Sequence, residues 1–210
     1  MTQPPSQSKK ISQTRALGSE YKTQKRDQRR EKIINAAAAV FAEKGFHNST
    51  LKNIADHLGV LPAALYHYIE SKEAALIEVC RRSGEIFNQT MKDHLSDDRP
   101  VPEILRDAVR DHMQNNRREL VYSFAFRPQG LPDESVREMG LMAQEYQCLW
   151  ESLFDRGMKA GDLASNTDPH MSAIAILAMM NGSVEYYSGK TEAEINKIAN
   201  HFTDIILGAF

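Results

Sequence analysis

Cysteine is nearly missing from this chain: Cys80 and Cys148 are the two present, far apart and with no metal-ligand spacing around them. That excludes a disulfide framework and a zinc cluster, so the sequence predicts two reduced core thiols and no metal. Long apolar runs are missing as well. The longest, Met171 to Met180 with Ser172 inside it, is too short to span a bilayer. Residues 1–26 are polar and Ser/Gln-rich with no apolar segment of the secretory kind, so the expectation is a cytoplasmic protein with no membrane partner. The phosphate-cradling GxGxxG and GxxxxGK loops, the HExxH metal pair and the GxSxG nucleophile turn are all absent. The seven histidines are scattered. An enzyme is therefore unsupported and no cofactor is expected. Alternating strand patterns are lacking too, which leaves an all-α chain.

What is present is an uneven distribution of charge. The formal net charge of −2 hides a basic end. Residues 1–32 carry nine Lys/Arg (Lys9, Lys10, Arg15, Lys22, Lys25, Arg26, Arg29, Arg30 and Lys32) against three acids, a local +6 that leaves −8 for the remainder. A basic end on an acidic body points to a polyanionic partner at that end only.

Just beyond it, Leu51 to Glu70 has the spacing of a helix-turn-helix. Leu51, Ile54, Ala55 and Leu58 fall at i, i+3, i+4 and i+7, one apolar face of a short helix. Ser49-Thr50 offers a hydroxyl cap before it and Gly59 a stop after it. Ala55 is small where a second helix must cross closely, Pro62 suits a first helical turn, and Leu65 returns to the same core. A unit of this kind presents its second helix to the DNA major groove.

Around this unit the pattern is helix after helix. Residues 1–26 read as a disordered basic arm. A first helix over Asp27–Lys44, apolar at Ile33, Ile34, Ala37, Val40 and Phe41, completes a three-helix head over 27–72. A body over 73–210 follows, with helices predicted to about Leu95, from about Ile104, over Asp133–Ala160, over His170–Tyr187 and over Thr191–Gly208. Leu120–Phe126 reads as a short apolar segment and Arg127–Pro132 as a loop. The whole comes to about nine helices.

Residues 29–76 resemble the DNA-binding head of the tetracycline-repressor (TetR) family. The resemblance rests on Ile33, Ala36, Phe41 and Gly45-Phe46, on Thr50, Ile54-Ala55 and Leu58-Gly59-Val60, and above all on Leu65-Tyr66-His67-Tyr68-Ile69-Glu70-Ser71-Lys72. The turn Gly157-Met-Lys-Ala-Gly161-Asp-Leu163 is similar to one common late in the family's ligand domain. The resemblance implies a homodimeric transcription regulator, usually a repressor, that binds double-stranded operator DNA and is released by a small-molecule effector. It implies that Thr50 and Lys52 open the supporting helix and touch phosphate or a nearby base. Residues 62–68 would form the recognition helix, with Tyr66 a phosphate or base contact, His67 a phosphate ligand and Lys72 a phosphate anchor. Thr50 reads equally as a helix cap.

One departure from the family pattern matters. The recognition helix usually opens on a polar residue, whereas this chain has Leu61-Pro62-Ala63-Ala64. Pro62, Ala63 and Ala64 can pack on thymine methyls but cannot hydrogen-bond a base. Direct readout is thereby shifted to Tyr66, Lys52 and an arm residue such as Arg26 or Arg29, with Tyr68 a further candidate DNA contact, and the operator is expected to be A·T-rich at its contacted steps.

In the body, Met and aromatic residues at helical spacing suit either plain core or an adaptable ligand cavity. The candidate effector residues are Met113, Arg117, Phe124, Phe126, Met142, Tyr146, Trp150, Met179 and Asn181. An effector bearing phosphates, such as an acyl-coenzyme A, would find partners in Arg117, Arg118 and Arg127; a neutral or weakly acidic hydrophobic compound is the other candidate. Small side chains at Ala175, Ala178 and Gly182, with an apolar stripe at Ile198, Phe202 and Ile205, predict a four-helix dimer interface. A ligand-independent architectural DNA binder and a transcriptional activator remain the alternatives.

Overall fold

The computed structural model describes residues 7–118, 131–187 and 189–209. The chain divides into two units, Met1–Ala75 and Leu76–Phe210.

In the first unit the long helix α1 (Gln7–Lys44) buries Ile33, Ile34, Ala36, Ala37, Val40 and Phe41 along one stripe at its C-terminal end. Phe46 folds back edge-on to Phe41, with ring centroids 5.5 Å apart. Helix α2 (Leu51–Leu58) lays the wholly buried Ile54 and Ala55 against this stripe. Each large aliphatic side chain so buried stabilises the head by roughly 1.5–3 kcal/mol. Gly59 then turns the chain at φ 66°, where a Cβ would be strained. Leu65 and Ile69, both buried, bring the following segment back to the same core.

Two expectations change here. Residues 7–26, expected as part of a disordered arm, are helical and continue α1. Their Lys, Gln, Arg, Glu and Ala content favours helix even without apolar periodicity. The segment 62–68, expected as a recognition helix, is a 3₁₀ turn at Pro62–Ala64 that runs into further turns. The N–H of Leu65 bonds the Pro62 carbonyl at 3.0 Å and the N–H of Tyr68 bonds Leu65 at 2.8 Å, the tighter i→i+3 pattern.

The second unit is all helix among its described residues: α3 (Lys72–Leu95, whose first turn belongs to the head), α4 (Val101–Arg118), α5 (Asp133–Ala160), α6 (Pro169–Gly182), the single turn α7 (Val184–Tyr187) and α8 (Glu192–Ala209). The expected helix over 170–187 is broken at Ser183, whose hydroxyl donates to the Met179 carbonyl at 2.7 Å and competes with the backbone ladder. Helix α4 packs against α5 and α8, and α5 against α6. Their shared core holds Phe87, Leu105, Val109, Met113, Trp150, Phe154, Ile176 and Ile195. Cys80 belongs to the interior, and burial pushes its thiol up to about 12, so it stays protonated. Cys148, also expected inside, is exposed on the outer side of α5. Leu120–Phe126 and most of the Arg127–Pro132 loop lie outside the described residues.

Polar caps tie the loops of this unit down. Arg156 donates to the carbonyls of Leu95, Asp97 and Arg99 at 3.1, 2.8 and 3.2 Å, satisfying the end of α3. Asp162 accepts from the Val101 N–H at 2.8 Å, placing a carboxylate at the start of α4. Gly157, next to Arg156, is a point of close approach. A Cβ at Gly157 would stand 2.7 Å from Leu163 Cδ1 and 3.0 Å from Val101 Cγ1. Gly157→Ala should cost about 1–3 kcal/mol and lower the thermal midpoint by several degrees. An unchanged melting curve by circular dichroism would disprove that close approach.

Candidate nucleic-acid interface and buried polar hub

The exposed edge of the head is the segment that follows Gly59. Leu61 is 78% exposed and Tyr66 60% exposed, although Leu65 between them is 1% exposed. Ala63, Ala64, His67 and Lys52 are also exposed, and Pro62 and Tyr68 are half-buried. Arg26 and Arg29 stand exposed on α1.

Two expected phosphate contacts already have work inside the head. Thr50 caps α2 in a reciprocal box: its hydroxyl accepts from the Asn53 N–H at 3.2 Å and donates to Asn53 Oδ1 at 2.9 Å, while its own N–H also bonds Oδ1. The Thr50 hydroxyl proton is therefore committed, and the cap is the role the geometry supplies. Lys72 reaches back across the unit. Its ammonium donates to the Phe46 carbonyl at 2.9 Å, lies 3.5 Å from that of His47, and stands 4.4 Å over the Phe46 ring. It is half-buried and pins the loop between α1 and α2.

The body holds a polar hub in its apolar core, and sequence reasoning recognised only part of it. His112, on α4, sits with Nδ1 2.9 Å from the Tyr146 hydroxyl and Nε2 3.2 Å from Asn181 Oδ1. Asn116, one turn further along α4, places its amide nitrogen 3.1 Å from both Asn181 Oδ1 and the Tyr187 hydroxyl, and 2.9 Å from His112 Nε2. The Tyr187 hydroxyl donates onward to the Met180 carbonyl at 3.1 Å. Tyr187 has given its proton away, so it accepts from Asn116. With its own proton on Nε2, His112 donates to Asn181 and accepts from Tyr146 at Nδ1; with it on Nδ1, His112 donates to Tyr146 and accepts from Asn116 at Nε2.

Burial holds His112 neutral, pushing its pKa from 6.5 down to about 4 against an opposing bond to Asn181. It pushes the Tyr187 hydroxyl up to about 12. Aromatic rings enclose the imidazole: Phe87 edge-on at 5.2 Å, Tyr146 stacked at 5.7 Å and Trp150 edge-on at 6.3 Å.

Of the expected effector residues, the hub gathers Tyr146, Trp150 and Asn181, with Met113 buried in the same core. Met142 and Met179 are half-buried. Phe124 and Phe126 lie outside the described residues, as does the side chain of Arg117. His112, Asn116 and Tyr187 were not singled out from the sequence. The available signal was a histidine and an asparagine at i and i+4 on the apolar stripe of Leu105, Ala108 and Val109.

On α6, Ala175, Ala178 and Gly182 are exposed, continuous with Met171 at 57% and Ile174 at 38% exposure. On α8, Ile205 is 51% exposed and Ile198 and Phe202 are half-buried.

A helix-turn-helix head with an exposed second element, joined to an all-α body, defines a DNA-binding transcription regulator. The model for bacterial regulatory proteins of the tetR family matches residues 33–79, and that for the tetracyclin repressor-like C-terminal domain matches residues 98–210. The chain belongs to the TetR family. It is 23% identical over 182 residues to the HTH-type transcriptional repressor KstR2 of Rhodococcus jostii, spanning 85% of this chain and 89% of that protein. The fold is shared with the regulator FadR of Bacillus subtilis solved with stearoyl-CoA (TM-score 0.73, 19% identity, 86% of this chain and 98% of that one). It is shared as well with AibR solved with isovaleryl coenzyme A and operator DNA (TM-score 0.71, 21% identity, 85% and 98%). Among the described residues no helix is long and apolar enough to cross a membrane.

The depressed pKa of His112 carries a sign. The unfolded chain binds a proton at this histidine near pH 6.5 and the folded one does so only near 4. The contribution of His112 to stability is therefore full above pH 6.5 and is lost progressively as pH falls to 4, to the extent of about 3 kcal/mol. Urea unfolding of His112→Gln across that window should show a flatter fall than the parent protein. An equally steep fall would mean that the imidazole is not held neutral.

Proposed function

We propose that this chain is a homodimeric repressor that binds a near-palindromic operator and is released from it by a small hydrophobic effector of the acyl-coenzyme A kind. The observation that carries the DNA half is the edge Leu61–His67, exposed at Leu61 and Tyr66, together with the exposed Lys52 on α2. Tyr66, Tyr68 and Lys52, with Arg26 and Arg29 on α1, supply the polar contacts. Leu61, Pro62, Ala63 and Ala64 supply the apolar surface that suits thymine methyls. His67 contributes to phosphate binding. Lys72 acts by holding the α1–α2 loop in place and has one ammonium proton left for a phosphate, and Thr50 serves the interface through its cap.

The dimer half rests on the exposed small and apolar face of α6 (Ala175, Ala178, Gly182) and on Ile198, Phe202 and Ile205 of α8. Two such pairs of helices make a four-helix interface about a two-fold axis, which spaces the two heads for half-sites on one face of the duplex. The effector half rests on Met113, Met142, Tyr146, Trp150, Met179 and Asn181, and on solved relatives whose names include acyl-coenzyme A ligands. Arg117, Phe124 and Phe126 belong to this half of the proposal from sequence alone. The setting would be the cytoplasm, and the activity regulation rather than catalysis.

The test is fluorescence anisotropy with the chain's own upstream promoter DNA against scrambled DNA, over a salt series, with and without a panel of acyl-CoA and neutral apolar ligands. Tight, specific, steeply salt-dependent binding abolished by one ligand class is the expected result. Binding no better than to scrambled DNA and indifferent to every ligand would leave an architectural role instead. Tyr66→Ala should weaken operator binding by about 1–3 kcal/mol while leaving the melting temperature unchanged. Ala178→Arg should sediment as a monomer and bind DNA poorly; a dimeric variant with full affinity would remove α6 from the interface.

A further inference from the structure

Among the described residues four buried side-chain polar atoms have no hydrogen-bond partner: Asn88 Oδ1, Gln114 Oε1, Thr167 Oγ1 and Trp150 Nε1. Three are oxygens. Trp150 Nε1 is a pure donor, on a residue with no exposed surface at all. It sits one turn along α5 from Tyr146, with its ring edge-on to Tyr146 at 88° and to His112 at 75°, both at 6.3 Å.

Its neighbours sharpen the contrast. His112, Asn116, Asn181, Tyr146 and Tyr187 bond to one another and onward to the Met180 carbonyl, and none of these bonds includes the indole N–H. A buried N–H that the fold leaves unpaired bears the full penalty of desolvation, and such a group calls for an explanation. Phe87, Leu153 and Phe154, buried in the same core as Trp150, are apolar.

We infer that the buried end of the effector carries a hydrogen-bond acceptor without a proton of its own, a ketone or similar carbonyl oxygen, and that Trp150 Nε1 is the group that receives it. The inference rests on the effector reading above and narrows it: the preferred ligand is an oxygenated acyl chain rather than a plain alkyl one. A plain chain leaves the indole N–H unpaired in the complex, whereas a ketone pairs it. The distinction is therefore between a satisfied and an unsatisfied donor in a dry site, the situation in which polar discrimination is strongest. Trp150 would be a specificity-determining contact, and the His112 hub beside it a rigid support.

Trp150 is the single tryptophan of the chain, so its fluorescence reads the site without a label. Octanoyl-CoA and a set of oxo-octanoyl-CoA thioesters, with the ketone walked along the chain, are titrated into the full-length protein bound to its operator. Release is followed by anisotropy and contact by tryptophan emission. One oxo isomer should release the operator at about one-tenth the concentration that octanoyl-CoA needs, and should quench or red-shift Trp150 where octanoyl-CoA does not. Trp150→Phe should bring the two release concentrations together while octanoyl-CoA still acts. If octanoyl-CoA releases the operator and no oxo isomer does better or perturbs the emission, this inference fails and the acyl-CoA reading stands. If neither class releases it, both fail. The parent protein's emission decides the matter should the variant not fold.

Discussion

The body of this protein depends on a histidine buried in its core. His112 is neutral, enclosed by three aromatic rings, and bonded through both ring nitrogens to different helices. A buried polar cluster is stable only if its protons are distributed without remainder, and that requirement is directional in a way that apolar packing is not. Tyr146 on α5, Asn181 on α6 and Tyr187 on α7 must each present one atom to α4 at about hydrogen-bond distance. The apolar core around them supplies most of the driving force. The hub decides which of many oily packings is the native one, and it brings Trp150 to the place where an unpaired donor has consequences.

The head obeys a different economy. Its core is small and is built from one end of α1, the two fully buried residues of α2, and Leu65 with Ile69. With so little area, capping and tethering count for more. The Thr50–Asn53 box starts α2, Gly59 ends it, and Lys72 stakes the α1–α2 loop from below. What remains free is an edge that is apolar at Leu61 and amphipathic at Tyr66. That edge keeps a leucine and a tyrosine in water, while Lys72 turns inward to the α1–α2 loop. The basic charge of the head is instead concentrated in α1.

The head was legible in the sequence to the level of single residues, because it is built from local rules. The 3.6-residue spacing of Ile54, Ala55 and Leu58, the cap at Thr50 and the glycine at position 59 each act within a few residues of themselves. The body helix α5 was legible to its ends for the same reason, with Pro132 before it and Gly161 after it. Misreadings arose where a local signal met a competing one. The polar stretch before residue 27 lacks apolar periodicity yet consists of good helix formers. Pro62 with two alanines favours a 3₁₀ turn over a regular helix, and Ser183 breaks a helix that its composition would have carried through to Tyr187.

Sequence alone determined the all-α class, the helix-turn-helix and the family, since all of these are written in spacing, caps and residue size. Only the tertiary structure decided that Lys72 closes a loop 26 residues earlier in the chain, that Cys148 faces outward although Cys80 does not, and that His112, Asn116 and Tyr187 join Tyr146 and Asn181. The physical reason is common to all three. A hydrogen bond between residues distant in sequence leaves no periodic trace in either partner. A polar residue on an apolar stripe announces that it needs a partner, and the fold alone determines which one it receives.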